Sequence, residues 1–140
     1  MPKESLALVT GCFDLLHYGH LKFLNFAATK ADHLIVGLES DKFIKEHKGS
    51  SRPIFSQKKR KYCLEQLKIV NKVILIPNHS NYLKLLQKID PHFLIISSND
   101  SYYKEKHQIC QQLGIKLIIF PKIKNHSTSL IIASNTPELR

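Results

Sequence analysis

Five short runs of branched apolar residues recur along this chain, and helical patterns separate them. The runs are rich in Val, Ile and Leu, do not alternate cleanly with polar residues, and cover residues 6–9, 34–38, 73–76, 93–96 and 117–120. Strands that are buried on both faces of a parallel sheet have this composition. The segments between the runs predict helices near residues 20–30, 56–68, 81–89 and 104–113. Together they predict an α/β fold, a doubly wound domain with a five-stranded, mainly parallel sheet flanked by helices.

The size and composition of the chain suit one folded domain. We expect a single domain over residues 1–140, with a core over about residues 5–133 and a frayed tail at 134–140. A hydrophobic content of 43% argues against disorder. No apolar stretch approaches the roughly 20 residues that a membrane span needs, and three widely spaced cysteines indicate a reducing compartment. The sequence therefore predicts a cytoplasmic protein without a membrane partner.

The charge of the chain favours anionic ligands. Its 21 Lys and Arg against 11 Asp and Glu give a formal net charge of +10, which attracts nucleotides, sugar phosphates and nucleic acids alike. Two classes of function remain: an enzyme acting on phosphorylated small molecules, and a non-catalytic basic module that binds nucleotides or nucleic acid. The basic residues are scattered and form no nucleic-acid-reading motif, which argues against nucleic acid as a partner.

Residues 11–20 contain two glycines and two histidines directly after the first apolar run. A strand, a glycine-containing loop and a helix start form an arrangement that binds phosphate through free N–H groups. His17 and His20 would add charge and hydrogen-bond donors where a phosphorus centre gains negative charge. The alternatives are ordinary capping or surface histidines and a zinc site that includes Cys12. Asp14 is expected either to hold the loop through backbone amides or to contact a ligand.

Two further segments carry candidate phosphate ligands. Residues 45–55 are basic and contain Gly, Ser and Pro, so we expect a loop that brings Lys45, Lys48 and Arg52 over a triphosphate. The alternative is a solvated loop. Ser127 and Thr128 precede a short apolar helix and would either hold a phosphate or cap that helix.

The motifs around the first histidines resemble those of a known family. Gly11-Cys12-Phe13-Asp14 followed by His17-x-Gly19-His20 resembles the signature of the cytidylyltransferase-like nucleotidyltransferases, in which the H-x-G-H element binds nucleotide phosphates. The order of motifs is also similar, since residues 127–129 resemble the late S-T-T element of the family. The resemblance implies a Rossmann-like fold, Mg²⁺ as a cofactor on the triphosphate, and a homodimer.

The resemblance also implies roles for single residues. Asp41, Lys45, residues 48–53 and Arg60 resemble the heptose-1-phosphate adenylyltransferase branch of the family. The implied catalytic residues are His17, His20, Lys48 and Arg60. The implied nucleotide-binding residues are Gly11, Cys12, Phe13, Gly19, His20, Lys45, Arg52, Ser127 and Thr128. The implied acceptor-binding residues are Asp14, Asp41 and Asp100. No metal ligand is expected from the protein itself.

The implied reaction transfers a nucleoside monophosphate from ATP or CTP to a phosphorylated sugar or polyol and releases pyrophosphate. A D-glycero-β-D-manno-heptose 1-phosphate adenylyltransferase is the first expectation, and a glycerol-3-phosphate cytidylyltransferase is the alternative. Residues 97–100 read Ser-Ser-Asn-Asp where relatives carry glycines. A member of the family that binds nucleotide without reacting is therefore a third alternative.

Overall fold

The computed structural model, which describes residues 4–121, contains five strands that alternate with helices. The strands are β1 (Leu6–Gly11), β2 (His33–Glu39), β3 (Lys72–Ile76), β4 (Phe93–Ser97) and β5 (Lys116–Phe120). The helices are α1 (Tyr18–Ala28), α2 (Asp41–Lys48), α3 (Gln57–Glu65), α4 (Tyr82–Ile89) and α5 (Tyr103–Leu113), with a 3₁₀ turn at His79–Asn81. All five predicted strands and all four predicted helices in this range are confirmed. The predicted helix after residue 129 lies outside the described residues.

The sheet has the strand order β3-β2-β1-β4-β5, and every pairing between these strands is parallel. The chain moves outward from β1 through β2 to β3 and then returns to the other side of β1 for β4. The order of strands therefore reverses between β1 and β4. In sheets of this kind a crevice opens at that point, beyond the carboxyl ends of the strands, and ligands bind there.

The central strand is buried on both faces, as its composition predicts. Ala7, Leu8 and Val9 are inaccessible to solvent. Ala7 and Val9 belong to a core with residues of α1 and α3, whereas Leu8 belongs to a second core with residues of α4 and α5. Helices thus cover both faces of the sheet, which is the doubly wound arrangement. Among residues 4–121, none of the helices has the length and apolar character needed to cross a membrane.

The segment after β2 differs from its prediction. Residues 41–48 form α2, so Lys45 and Lys48 lie on a helix and not in a loop. Ser40 caps this helix, since its side chain accepts a hydrogen bond from the Phe43 amide. Ile44 is the buried residue of this helix. The Gly, Ser and Pro residues that indicated a loop begin only after the helix has ended.

Candidate active site

His17 directly precedes α1 and is the N-cap of that helix. Its Nδ1 accepts hydrogen bonds from the backbone amides of Gly19 at 3.0 Å and His20 at 3.4 Å. An imidazole nitrogen that accepts has no proton, so the neutral ring carries its proton on Nε2, where it is a donor. The capping role that the sequence offered as an alternative is thus real. It also sets the tautomer that a phosphate-binding role requires.

His20 lies one helical turn further and stacks on His17. The ring centroids are 3.8 Å apart with an interplanar angle of 24°. Burial, together with the nearby His17 ring and the Lys48 ammonium, lowers the pKa of His20 to about 3. His20 is therefore neutral at pH 7, and the expected second positive charge is absent. Its Nδ1 is buried and meets no hydrogen-bond partner within the range that the structure covers.

The loop between β1 and α1 has a strained backbone. Phe13 and Leu15 have φ angles of 49° and 56°. Residues other than glycine adopt such angles at a cost in energy. The Phe13 ring is buried and its centroid is 5.5 Å from that of His20. A Cβ on Gly11 would lie 3.0 Å from that ring, so glycine is needed to let the ring fold back. Phe13 thus packs against His20.

Asp14 fastens this loop to the segment that precedes α3. Its two carboxylate oxygens accept hydrogen bonds from the amides of Ile54 at 2.6 Å and Phe55 at 2.9 Å. The side chain is 3% exposed, and Arg52 Nη1 lies 3.9 Å from Oδ2. The loop-holding interpretation of Asp14 agrees with this geometry, whereas its contact with an acceptor stays a prediction.

Arg60 is a buried connection between three segments. The residue is 1% exposed. Its Nη1 donates to the carbonyl oxygens of Cys12 at 2.8 Å and Glu39 at 2.9 Å, and its Nε donates to that of Phe55 at 3.0 Å. Its Nη2 donates to Asp41 Oδ1 at 2.7 Å. These donors point at protein oxygens, so the structure gives Arg60 a positioning role. The predicted phosphate contact of Arg60 and acceptor contact of Asp41 stay predictions.

Lys48 brings positive charge to the histidines from the end of α2. Its charge is one of the causes that lower the pKa of His20, and it also acts on Cys12. Burial raises the pKa of the Cys12 thiol above its usual value, so this thiol is protonated at neutral pH. Lys45 lies three residues earlier on the same helix and is exposed. Within the described part of the chain, no three His, Cys, Asp or Glu residues are grouped to hold a metal ion.

Asp100 belongs to a polar network on the β4 side of β1. Its Oδ1 accepts from the Tyr102 amide at 2.8 Å, and its Oδ2 accepts from Lys106 Nζ at 2.7 Å. Lys106 Nζ also donates to Thr10 Oγ1 at 3.4 Å, and that hydroxyl is hydrogen-bonded to the Tyr82 hydroxyl at 2.9 Å. The network ties the loop after β4 to the end of β1. The acceptor-binding role of Asp100 stays a prediction.

The sequence reasoning missed a buried pair beside this site. Nδ1 of His79, in the 3₁₀ turn after β3, donates to Oε2 of Glu39, the last residue of β2, at 2.9 Å. The signal for it was a carboxylate directly after an otherwise apolar run. Ser127 and Thr128, which the sequence assigns to the triphosphate, lie outside the described residues.

Comparison with known proteins agrees with this geometry. Residues 8–134 match the family model described as cytidylyltransferase-like. The bifunctional protein HldE of Aliarcobacter butzleri is 34% identical over 126 residues, which are 90% of this chain and 26% of the relative. HldE of Helicobacter pylori strain P12 is 34% identical over 132 residues, which are 94% of this chain and 28% of the relative. The chain thus spans about a quarter of the length of these relatives.

Solved structures share the fold. A lipopolysaccharide core biosynthesis protein from Thermoplasma volcanium superposes with a TM-score of 0.74 at 24% identity, covering 87% of this chain and 98% of the other. A pantoate-beta-alanine ligase from Francisella tularensis superposes with a TM-score of 0.65 at 16% identity, covering 86% of this chain and 60% of the other. These matches confirm the predicted Rossmann-like arrangement.

Proposed function

Because this chain belongs to the cytidylyltransferase-like family, we propose that it transfers a nucleotidyl group from a nucleoside triphosphate to a phosphorylated sugar or polyol. A phosphate oxygen of the acceptor attacks the α-phosphorus in line, the new P–O bond forms, and the bond to the departing pyrophosphate breaks. The protein forms no covalent intermediate. The observation that carries the proposal is the stacked pair of His17 and His20 on the first turn of α1, beside the crevice between β1 and β4.

The geometry gives the two histidines a donor role. Both lie at the N-terminus of α1, where the positive end of the helix dipole favours an anion. His17 presents Nε2–H because its Nδ1 accepts from the helix amides. His20 is neutral, so its contribution to a developing negative charge is a hydrogen bond. Such donors act mainly by holding the phosphates in line and by stabilising transition-state charge.

Positive charge in the proposed site comes from basic side chains and from Mg²⁺. Lys48 is the first of these, because its charge acts on both His20 and Cys12, and Lys45 and Arg52 support it. Mg²⁺, bound to the triphosphate, would neutralise phosphate charge. The described residues suit an ion that the phosphates hold, because the oxygens of Asp14 already accept from backbone amides and Asp41 already accepts from Arg60. Ser127 and Thr128 complete the proposed triphosphate site.

The proposed substrates are ATP and a sugar 1-phosphate of the heptose kind. The similarity to HldE over nine-tenths of this chain supports this choice. CTP with glycerol 3-phosphate is the second choice. The test is a screen for pyrophosphate release that crosses ATP and CTP with a panel of sugar and polyol phosphates. Release that depends on one triphosphate and one phosphorylated acceptor is the expected result, and no release from any combination refutes the proposal.

His20→Ala tests the histidine pair within that screen. Loss of one charge-stabilising donor is expected to lower kcat by at least about a hundredfold while the protein stays folded. His47→Ala is the matched control, because it removes an exposed imidazole from α2. Pyrophosphate release near the wild-type rate in His20→Ala would contradict the proposed role.

Lys48→Ala tests the source of positive charge. We expect a higher KM for the triphosphate, since the charge of Lys48 already acts on His20. Lys42→Ala removes an exposed lysine from the same helix and is the control. An unchanged dependence on ATP and CTP concentration would show that Lys48 is only solvated.

The net charge of +10 favours one competing function, a non-catalytic module that binds nucleic acid. Binding of random oligonucleotide that weakens steeply with salt, without any nucleotide turnover, would identify it. The homodimer that the resemblance implies is part of the proposal, and sedimentation of the full chain measures it.

A further inference from the structure

Glu39 and His79 form a buried couple that the proposed chemistry does not use. Glu39 is 6% exposed, and its Oε2 accepts from His79 Nδ1. The remaining atoms of the couple, Glu39 Oε1 and His79 Nε2, are both buried and have no hydrogen-bond partner anywhere in residues 4–121. Buried polar atoms are nearly always paired, because an unpaired one forfeits its hydration without compensation. Two such atoms on one couple point to a ligand.

Aromatic rings hold the couple in one orientation. The Phe43 ring stacks on the His79 imidazole with centroids 4.6 Å apart and an angle of 24°, and the Tyr102 ring lies 4.5 Å away. Tyr82 adds a third ring at 5.5 Å. Because rings cover its faces, the imidazole can offer a ligand only its edge, where Nε2 lies. Tyr102 is partly exposed, so the aromatic cover of the couple borders solvent on this side.

The couple lies at the carboxyl ends of β2 and β3, and Tyr102 reaches it from the loop after β4. Arg60 Nη1 binds the carbonyl oxygens of both Cys12 and Glu39, so the ends of β1 and β2 meet at one nitrogen. The crevice opens on the opposite side of β1, toward β4. A nucleotide in that crevice would lie between the ends of β1 and β4, whereas the couple borders the site at the ends of β2 and β3, the position left for the acceptor.

We propose that the Glu39–His79 couple binds hydroxyl groups of the acceptor, and thereby selects a polyhydroxylated sugar. The carboxylate Oε1 accepts a hydrogen bond from one hydroxyl, and Nε2 of the imidazole forms a hydrogen bond with a second. The carboxylate charge repels a phosphate from this position, so the couple reads the sugar portion of the acceptor. Aromatic walls with few polar groups are typical of small-molecule sites. This inference rests on the proposed nucleotidyl transfer.

Glu39→Gln tests the couple by steady-state kinetics on the full chain, with ATP and heptose 1-phosphate as substrates. We expect the KM for heptose 1-phosphate to rise about 10- to 100-fold, the range for a lost hydrogen bond to a charged group. The KM for ATP should stay within about twofold, because the couple lies at the ends of β2 and β3 and the nucleotide crevice opens between β1 and β4. Glu46→Gln, which neutralises an exposed carboxylate on α2, is the matched control. His79→Gln is the second variant, should Glu39→Gln fold poorly.

Monodeoxy analogues of heptose 1-phosphate separate recognition from a structural role. The analogue that lacks the recognised hydroxyl should lose affinity for the wild-type protein but not for Glu39→Gln, since the two changes remove one interaction. Equal losses in both proteins, or a parallel rise in the KM for ATP, would overturn the inference.

Failure of the proposed reaction is recognised separately. If the wild-type protein releases no pyrophosphate from any acceptor, the imidazole NMR signals of His79 are titrated with heptose 1-phosphate. A shift that Glu39→Gln abolishes supports the couple as a sugar site, and unmoved His79 signals refute it.

Discussion

The neutral state of His20 predicts how the stability of the protein depends on pH. The pKa of this imidazole is 6.5 in its reference state and about 3 in the folded protein, because burial and the neighbouring His17 and Lys48 disfavour the charged ring. Between these two values the unfolded chain binds a proton that the folded chain does not. The free energy of unfolding therefore falls as the pH decreases from about 6.5 toward 3, and is unaffected by His20 above pH 7.

The size of the effect at pH 5 is set by the unfolded state. At pH 5 the unfolded imidazole lies about 1.5 pH units below its pKa, and each unit is worth about 1.4 kcal/mol. His20 therefore lowers the free energy of unfolding by about 2 kcal/mol between pH 7.5 and pH 5. This value stays nearly the same for any folded pKa below about 4, since the folded ring is then neutral at both pH values.

Urea unfolding at pH 7.5 and pH 5.0 measures this contribution by difference. The wild-type protein should lose about 2 kcal/mol more than His20→Gln over this interval, because the variant has no imidazole to protonate. His47→Gln, which lacks an exposed imidazole, is the control and should follow the wild type. If the stability difference between the wild type and His20→Gln is equal at both pH values, His20 takes up a proton at pH 5 in the folded protein as it does in the unfolded chain. The argument then fails.

Three further predictions concern buried groups. Arg60→Ala should lower the free energy of unfolding by about 3–5 kcal/mol, because its oxygen partners lose a buried guanidinium. The control Lys61→Ala breaks only an exposed ion pair with Glu65 and should change the free energy of unfolding by less than about 1 kcal/mol. Equal losses in the two variants would contradict the positioning role of Arg60. Asp14→Ala should speed hydrogen exchange at the amides of residues 54–55, and unchanged exchange would show that the carboxylate is dispensable. Burial raises the pKa of Cys110 to about 11. An aromatic disulfide reagent at pH 8 should therefore modify this thiol far more slowly in the folded protein than in the urea-unfolded protein. Peptide mass spectrometry measures the two rates.

The sheet could be predicted because its signal is local in sequence. Each strand of a parallel sheet with two covered faces is a short unbroken apolar run, and such runs can be read one at a time. Helix α2 was missed because only one of its residues, Ile44, is buried, and a single buried position gives no periodicity. Its remaining signal was the cap at Ser40, one residue before the first turn.

The site was predictable to the extent that its residues are neighbours in the chain. His17 and His20 are three residues apart, so their stacking on one helical turn follows from the helix itself. The Glu39–His79 couple joins residues 40 positions apart, and the bonds of Arg60 reach back 48 positions to Cys12. Those contacts depend on which strands become neighbours, and a single sequence does not specify the partner of each side chain.

The cap of α1 has a consequence for when the proposed site is functional. Nδ1 of His17 caps the helix by accepting from two backbone amides. Because it accepts, the proton of the neutral ring lies on Nε2. Folding of the first turn and preparation of the donor are therefore a single event. A chain whose α1 frays at this end would still contain both histidines, but His17 would interconvert between tautomers and present the wrong one part of the time. Any agent that loosens this one turn is therefore expected to weaken the donor even while the sheet stays folded.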